Sequence, residues 1–427
     1  MGLFNRQNVF RGVLAALAIS SLAAGVSAGA FIARGNPDGH AATLSRAENS
    51  NLRVYDAVWN LIDERHYAAG EPSFETETLR AEFRSAAEKA SSPAELYHVV
   101  FAEMLSRLDE SHIQATPAEG VFMPPGSFRP PPPRRGESPW PFPPEQAGHG
   151  MEVFWDGEKA VVDTVLLGSP AEQAGIEPGS SVAITDFLGA HPDEPGSMNV
   201  GTFAITVPGQ ETKTVRLEWP WTQVAYAERA AYCTPGGVMV IRFDEFSRRN
   251  VSWALAQIED AGSGGIILDL RRNGGGRMNQ FKRLVDVLLL PQSLIGTEVS
   301  SDRRRERIAS PRSQSYTGKI AVLIGHSTAS AAEMTARAIQ FHQRGEVIGE
   351  RSAGAVLVSQ YFRLPDGGRL QVPVHEFLDP EGIRLEGRGV IPDLPVSSTL
   401  DDIRKGKDRA VEVAEGVVGA GQCDIAA

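Results

Sequence analysis

The sequence predicts an α/β protein with three parts: an N-terminal helical region, a small and mostly β module, and an α/β core. From Gly236 onward, short apolar runs typical of buried strands alternate with longer runs of helical periodicity, and this order predicts a largely parallel sheet. Residues 149–222 contain short alternating runs separated by turn-forming residues, which is typical of a β module. The composition agrees, because 42% hydrophobic and 22% charged residues in a chain of 427 indicate a globular protein of more than one domain.

The N-terminal segment, residues 1–33, has the pattern of a targeting sequence. Arg6 and Arg11 precede a run of small apolar residues, and Val26-Ser27-Ala28 provides a small-residue cleavage site. An uncleaved apolar run of about 20 residues would also be long enough to anchor the chain in a membrane. The segment is therefore predicted to be a signal peptide or an N-terminal membrane anchor. Either one places the rest of the chain outside the cytoplasm, in the periplasm or the extracellular space.

The N-terminal region, residues 34–122, is predicted to be helical. Apolar residues recur at helical spacing in "VYDAVWNLIDERHY" and "AELYHVVFAEMLSRLDESH", so helices are expected through residues 51–116. Residues 123–148 are dense in proline, which disfavours the interior of helices and sheets. That stretch is predicted to be an extended linker between the helical region and the β module.

Charge and residue spacing exclude several classes of partner. The net charge is −11, and no basic patch is interleaved with aromatic residues, so a nucleic-acid partner is not expected. The basic run "RRRER" at residues 303–307 is predicted to be a solvated loop. No cluster of cysteines and no His-x-x-x-His spacing predicts a metal site.

The two cysteines, Cys233 and Cys423, allow two interpretations. An exported chain meets an oxidising compartment, where a disulfide would tie the C-terminal tail, residues 401–427, to the core. The alternative is a pair of free thiols, because Cys423 lies close to the end of the chain.

The stretch "GHSTASAAEM", residues 325–334, ends a strand-like run and begins a helical one. Ser330 followed three residues later by Glu333 is the signature of a capping box, in which the hydroxyl only satisfies a backbone N–H. A serine at a helix start is also well placed to act as a nucleophile, because free N–H groups and the helix dipole favour developing negative charge. Taken alone, the stretch favours the helix cap.

A second motif, "GGIILDLRRNGGGR", places Gly274, Gly275 and Gly276 directly after a buried strand. Glycines allow the backbone to turn sharply and to present an N–H group at close range. Such a loop can donate to an oxyanion, bind a phosphate, or form a tight turn. No Lys-Ser or Lys-Thr pair follows it, which excludes a phosphate-binding P-loop.

Four motifs in order, "DLRRNGGG", "STASAAEM", "GEVIGERSAG" and "LEGRGVIPDLPV", resemble the C-terminal-processing (tail-specific) and tricorn-type serine peptidases. The resemblance covers roughly residues 50–397. It implies a peptidase core of the ClpP/crotonase type over residues 223–400, with no cofactor. The β module, with "GSPAEQAGIEPGSSV", is similar to the PDZ domains of these peptidases, which bind an extended polypeptide at a sheet edge.

The resemblance also implies roles for particular residues. Ser330 corresponds to the nucleophile, and the backbone N–H groups of Ala331 and Gly276 to the oxyanion hole. Tail-specific members carry a general-base lysine where this chain has Ala355, and no lysine lies between Lys319 and Lys405. The usual base is therefore missing.

Tricorn-type members use a different base, which this sequence retains. They supply a Ser-His pair from an earlier segment and a glutamate near the end of the core, which correspond to Ser111, His112 and Glu386 here. Imidazole has an unperturbed pKa of about 6.5, so near neutral pH it can accept the proton of the serine and return it to the leaving amine. Glu386, acting through Ser111, would orient His112 as a carboxylate does in a Ser-His-Asp arrangement. His326, His342 and His375 are weaker candidates, predicted at a strand end, a helix end and a loop.

These observations predict an exported serine endopeptidase that hydrolyses polypeptides through an acyl-enzyme on Ser330, with His112 as base. One alternative is a catalytically inactive member of the family that acts as a peptide-binding scaffold. Another is a carrier of apolar ligands built on the same core. The joint presence of Ser111, His112, Ser330 and Glu386 favours the enzyme, because neither alternative needs all of them.

Overall fold

The structure is a computed structural model, and its described residues form two compact units. They are residues 37–71, 74, 76–118, 149–155, 158–165, 168–188, 198–220, 229–309, 316–421 and 423. The first unit holds those of residues 132–358 and 375–427, and the second those of residues 10–131 and 359–374. The predicted signal peptide or anchor (1–33) and the Pro-rich linker (123–148) lie outside the described residues. Within the described part of the chain, no helix combines the length and apolarity needed to cross a membrane.

The second unit is mainly helical, as predicted for the N-terminal region. Its elements are α1 (Pro37–Arg65), α2 (Glu77–Lys89), α3 (Pro93–Glu95), a π-helical segment (Leu96–Phe101), α4 (Ala102–Ser106) and β1 (Gln114–Thr116). Apolar residues at helical spacing, among them Val58 and Met104, form its buried core. The prediction of helix through residue 116 is wrong at its end, because β1 pairs antiparallel with residues 369–371.

The β module of the first unit comprises residues 149–220. Its elements are β2 (Met151–Trp155), β3 (Ala160–Val165), α5 (Pro170–Gln173), β4 (Ser181–Leu188), β5 (Met198–Thr206) and β6 (Lys213–Pro220). The five strands form one antiparallel sheet in the order β2-β3-β4-β5-β6. Alternate side chains such as Val162, Phe203 and Trp219 are buried, which gives the module a core of its own.

The core of the first unit is built on a six-stranded sheet. Its strands are β7 (Arg229–Cys233), β8 (Met239–Phe243), β9 (Ile266–Asp269), β12 (Ile320–Ile324), β13 (Gly345–Gly349) and β16 (Leu394–Pro395). All neighbouring strands are parallel except β7 and β8, so the predicted α/β class with a largely parallel sheet is confirmed. The order β16-β13-β12-β9-β8-β7 brings the ends of β9, β12 and β13 to one edge of the sheet.

Helices cover both faces of this sheet. They are α6 (Arg248–Asp260), α7 (Met278–Leu288), α8 (Ala331–Phe341) and α10 (Arg409–Val418), whereas α9 (Leu400–Arg404) packs Ile403 against the core of the β module. Apolar side chains of α6, α7 and α8 pack on one face, and Ala410, Val411, Ala414 and Val418 of α10 pack on the other. Because both faces are buried, the central strands are continuously apolar rather than alternating.

Two sequence predictions are corrected in the core. The basic run at residues 303–307 was expected to be a loop, but β11 (Arg305–Ala309) pairs antiparallel with β10 (Leu294–Ser300). Its arginines stay exposed while Ile308 is buried, so a charged strand can form at the surface. The C-terminal stretch was expected to be a tail, but it contains α9 and α10, and the apolar face of α10 covers the sheet. Of the two interpretations of the cysteines, the structure has the disulfide between Cys233 and Cys423.

The remaining strands are β14 (Val358–Arg363) and β15 (Arg369–Leu378). In the second unit, residues 369–371 pair with β1 as described above. In the first unit, residues 375–378 pair antiparallel with residues 297–300 of β10. His375 therefore lies in a strand and not in the loop that was predicted for it.

Candidate active site

Ser330 lies at the turn between β12 and α8 in a conformation that ordinary helix caps do not have. Its φ is 53° and its ψ is −121°, a region that side-chain-bearing residues rarely occupy. Ser247 and Ser169, which cap α6 and α5, are extended, and their hydroxyls accept from the N–H three residues on. Ser330 and Glu333 form a capping box, in which the Glu333 carboxylate accepts from the Ser330 N–H. The Ser330 hydroxyl nevertheless makes no side-chain cap hydrogen bond of the kind that Ser247 and Ser169 make.

Backbone contacts hold Ser330 in this conformation. Its N–H donates to the carbonyl oxygen of Ala355 at 2.7 Å and to Oε2 of Glu333 at 3.1 Å. The neighbouring Ala329 N–H donates to the Asn273 carbonyl oxygen at 3.0 Å, which ties the turn to the Gly-rich loop. Strained residues persist where the surrounding structure determines them, and such residues cluster at active sites.

Glu333 is a buried carboxylate that joins the Ser330 turn to residues 352–355. Oε1 accepts from the Ser352 hydroxyl at 2.6 Å and the Gly354 N–H at 2.8 Å. Oε2 accepts from the Ala355 N–H at 2.9 Å, in addition to the Ser330 N–H. Burial raises the pKa of Glu333 to about 7, although these hydrogen bonds lower it. The side chain is fully buried, so this carboxylate works as an internal clamp.

The Gly-rich loop after β9 lies directly against Ser330. Gly275 has a φ of 94°, and a Cβ added to it would lie 2.5 Å from Ser330 Cβ. Only glycine therefore fits there, for reasons of both conformation and space. The buried Asn273 side chain holds the loop, because its amide donates to the Phe243 carbonyl at 2.7 Å and its oxygen accepts from the Gly275 N–H at 2.9 Å.

The two N–H groups predicted to form the oxyanion hole flank this contact. Gly276 has a φ of 139° and follows Gly275, and Ala331 is the first residue of α8. Within the described part of the chain, neither N–H donates a hydrogen bond. A helix N-terminus with free N–H groups can stabilise an oxyanion, so the arrangement suits the predicted role.

Glu386 and Ser330 are linked through hydrogen bonds to the neighbouring residues Val356 and Ala355. Oε2 of Glu386 accepts from the Val356 N–H at 2.7 Å, and Val356 follows Ala355, which accepts from Ser330. Residues 386–390 also bond residues 352–354, through Gly387 N–H to the Gly354 carbonyl at 2.7 Å among other contacts. The structure thus brings Ser330, Ala331, the Gly-rich loop and the segment of Glu386 together in the first unit.

Ser111 and His112 lie in the second unit. The Ser111 hydroxyl is 2.6 Å from Nδ1 of His112. His112 has a φ of 60°, another left-handed non-glycine residue. Glu110 anchors this turn, because its carboxylate lies 2.7 Å from Nε2 of the buried His66 and accepts from the Tyr67 hydroxyl. The role of His112 as base stays a prediction.

The weaker histidine candidates have other contacts. His326 lies after β12 with Nε2 3.2 Å from Oε2 of Glu350, and its ring stacks on Phe154. His342 caps the end of α8, and its Nε2 is 2.7 Å from the Leu294 carbonyl oxygen.

Sequence reasoning missed the contacts that position the candidate site. Glu333 was predicted only as a capping residue, because a capping box is a local signature. Its bonds to Ser352, Gly354 and Ala355 join residues far apart in sequence, which no local spacing reveals. The buried Asn273 was likewise overlooked, although an asparagine before three glycines is a signal for a structured turn.

Part of the chain is similar to known peptidases. Residues 237–396 match peptidase family S41. A carboxyl-terminal-processing protease of Synechocystis sp. is 29% identical over 281 residues, covering 60% of this chain and 64% of its own. A carboxy-terminal-processing protease of Bartonella bacilliformis is 26% identical over 286 residues, covering 62% of this chain and 64% of its own. This chain therefore spans less than two thirds of the length of these curated relatives.

Solved structures agree on the fold. A photosystem II D1 C-terminal processing protease superimposes with a TM-score of 0.55 at 20% identity, covering 88% of this chain and 99% of its own. Mature CPAF in complex with lactacystin gives 0.53 at 12% identity, with coverages of 87% and 98%. The fold is thus shared with these two structures. The match of residues 237–396 to peptidase family S41 confirms the resemblance found in the sequence.

Proposed function

We propose that the chain is an exported serine peptidase that hydrolyses polypeptides through an acyl-enzyme on Ser330. The observation that carries the proposal is the conformation of Ser330, held at a helix N-terminus between the Gly-rich loop and residues 352–355. A hydroxyl that caps a helix needs no such strain, whereas a nucleophile on a tight strand-to-helix turn is presented to substrate by it. The S41 domain and the processing-protease relatives support the same reaction class.

In the proposed reaction, the Ser330 oxygen attacks the carbonyl carbon of a peptide bond and its proton passes to His112. The Gly276 and Ala331 N–H groups donate hydrogen bonds to the carbonyl oxygen and stabilise the negative charge that develops on it. Collapse of the tetrahedral intermediate returns the proton to the leaving amine and leaves an ester on Ser330. Water activated by the same imidazole then hydrolyses the ester and frees the serine.

The proposed base is His112, because the position of the usual lysine is Ala355. The backbone of Ala355 bonds both Ser330 and Glu333, so a side chain at this position would begin beside the nucleophile. Ser111 engages Nδ1 of His112, and Nε2 is the nitrogen proposed to accept the serine proton. Glu386 is proposed to orient the pair through Ser111, with its Oε2 held by the Val356 N–H.

The proposed substrates are polypeptides bound in extended form. The β module presents an antiparallel sheet, and its predicted likeness to PDZ domains supports peptide addition at a sheet edge. The relatives from Synechocystis and Bartonella are carboxyl-terminal-processing proteases, which supports polypeptide substrates here. The disulfide between Cys233 and Cys423 supports an oxidising compartment such as the periplasm.

The first prediction is that a fluorophosphonate probe labels the wild-type chain and fails to label Ser330→Ala. The matched control is Ser247→Ala, which also removes a helix-start hydroxyl in the core but leaves the proposed nucleophile intact. Each substitution should cost at most about 0.5–2 kcal/mol of stability, so both variants should fold. Mass spectrometry of the labelled peptide gives the site. An unlabelled but folded wild-type chain would favour the inactive scaffold instead.

A further inference from the structure

Three ionisable side chains meet where the β module packs on the core. Asp163 belongs to β3 of the module, while His326 and Glu350 follow β12 and β13 of the core sheet. Polar atoms of the three side chains all lie within 4.8 Å of one another. The Phe154 ring of the module stacks on the His326 ring, with centroids 3.5 Å apart and planes 11° from parallel. This contact attaches the module to the carboxyl-terminal edge of the core sheet.

The two carboxyl groups in this contact are hydrogen-bonded to each other, which requires a proton between them. Burial raises the pKa of Asp163 well above its usual range, and the charges of Glu350 and Glu152 raise it further. Burial also raises the pKa of Glu350, but hydrogen bonds from His326 and Ser397 outweigh it and lower that pKa. The opposite directions of the two pKa shifts favour Asp163 as the carboxyl group that holds the proton and Glu350 as the carboxylate that accepts from it.

The nearby positive charges are already paired with other carboxylates, so they cannot neutralise an ionised Asp163. Arg271 of the core lowers the pKa of Asp163, but its guanidinium is held by two hydrogen-bonded carboxylates, Asp269 and Asp408. Arg272 is paired with Glu152 of the module at 3.4 Å. The oxygens of Glu350 are engaged by His326 at 3.2 Å and by the Ser397 hydroxyl at 2.5 Å. Loss of the proton from Asp163 would leave it facing two other carboxylates at close range.

The contact lies on the two segments that hold Ser330. His326 is in the turn that leads from β12 to Ser330, and Glu350 precedes residues 352–355, which the Glu333 clamp binds. Backbone bonds join the two segments, since Glu350 N–H donates to the Ile324 carbonyl at 3.1 Å and Ala353 N–H to the Thr328 carbonyl at 3.0 Å. A change in how the module rests on His326 and Glu350 thus acts directly on the turn of Ser330.

We propose that Asp163, Glu350 and His326 form a proton-operated latch, by which the β module is held on the Ser330 segments when Asp163 is protonated and is released when it ionises. The raised pKa belongs to the docked state, so docking is fully stabilised below the ordinary pKa of an aspartate and weakens as pH rises through the raised one. The latch needs no assumption about the reaction at Ser330.

Hydroxyl-radical footprinting with mass spectrometry tests the latch, because it measures the solvent exposure of individual side chains. Phe154 reports docking, since it is buried against His326 rather than in the apolar core of the module. Phe203, in that core, reports whether the module itself stays folded. In the wild-type chain, oxidation of Phe154 should rise severalfold from about pH 4 to about pH 8 while that of Phe203 stays constant, since one pKa unit is about tenfold in the docking equilibrium.

The decisive variant is Asp163→Asn, which keeps a donor to Glu350 that cannot ionise. Its Phe154 should stay protected across the whole pH range. Glu211→Gln is the matched control, because Glu211 is an exposed carboxylate of the same module, and it should behave as wild type. Wild-type oxidation of Phe154 that does not change with pH, or a rise that Asp163→Asn retains, would overturn the proposal. So would a rise of Phe203 in parallel, or loss of the contact on adding EDTA, which would indicate unfolding or a bound cation.

Discussion

At the scale of single residues, the chain has Ala355 where the resemblance implies a general-base lysine, and a strained serine, Ser330, beside that position. The strain would be costly to maintain without a function, since each such residue costs about 1–3 kcal/mol. Ser111 and His112 were identified from the resemblance, and their side chains lie 2.6 Å apart. An Ala355 side chain has no titratable group, so the proposed reaction takes its base from another segment.

We expect His112→Ala to lower the rate constant for acylation of Ser330 by about 10²–10⁴-fold, as is typical of general acid–base groups. Wild-type activity should decline as pH falls through the imidazole range, near about 6.5, because the protonated ring cannot accept the serine proton. The measurement is the second-order rate of fluorophosphonate labelling against pH.

Ala355→Lys in the His112→Ala background offers a rescue. The backbone contacts of residue 355 would place a lysine beside Ser330, and part of the rate should return with an optimum at more alkaline pH, where the amine is neutral. His112→Ala that retains the full wild-type rate would contradict the assignment, whatever the outcome of the rescue.

Glu333 gives a prediction about stability. Burial raises its pKa to about 7 from an unfolded value of 4.5, so the folded state holds the proton more tightly. Stability from this group is therefore complete below about pH 4.5 and is lost as pH rises through about 7. Glu333→Gln should remove that pH-dependent loss.

The same substitution should also lower stability by a few kcal/mol, because an amide offers one acceptor to four donors and leaves buried N–H groups unsatisfied, each at about 1–3 kcal/mol. Urea unfolding at several pH values measures both effects. Ser352→Ala, which removes one donor and keeps the carboxylate, is the control and should keep a pH-dependent loss, displaced to higher pH because the Ser352 hydrogen bond lowers the pKa of Glu333. An unchanged pH slope in Glu333→Gln would show that Glu333 is not the titrating group.

At the scale of elements, the sequence predicted the strands and helices that have a clear local pattern. It missed those that depend on pairing or packing with distant parts of the chain. The strands β9 and β12 belong to nearly continuous apolar runs, so the sequence predicted that they are buried on both faces of a parallel sheet. β11 carries charged side chains at three of its five positions, and only its pairing with β10 makes it a strand. α10 has a short apolar face that became recognisable only once the sheet it covers was known.

The β module gives a prediction at this scale. It has its own buried core, so deletion of residues 149–222 should leave the rest of the chain folded. If the module binds polypeptides at a sheet edge, the deletion should reduce cleavage of an unfolded protein much more than cleavage of a short peptide. The two values of kcat/KM measure the difference. Equal losses on both substrates would indicate that the module only supports the Ser330 segments.

At the scale of the whole molecule, the disulfide closes the C-terminal part of the first unit. Cys423 lies after α10 and bonds Cys233 in β7, across 190 residues of sequence. Between these ends, α10 covers one face of the core sheet, and the Cys423 N–H donates to the Gly237 carbonyl at 2.8 Å. The sequence alone left two interpretations of the cysteines. The two residues meet because α10 packs on the sheet and brings the end of the chain back to β7.

We expect Cys423→Ser to lower the melting temperature of the first unit by several degrees. A cross-link over a loop this long restricts the unfolded chain by up to about 5 kcal/mol, although measured values are usually smaller. At about 2–4 °C per kcal/mol, even half of that figure is readily measured by calorimetry. Hydrogen exchange should rise first in α10, because the disulfide lies at its C-terminal side.

Reduction of the wild-type chain supplies the control for this variant. A reductant should lower the wild-type melting temperature to that of Cys423→Ser and should leave the variant unchanged, because the variant has no bond to break. A Cys233→Ser variant should match both. Two thiols that react with Ellman's reagent in the folded, unreduced chain would contradict the disulfide, and an unshifted melting temperature on reduction would show that α10 stays on the sheet by its apolar contacts alone.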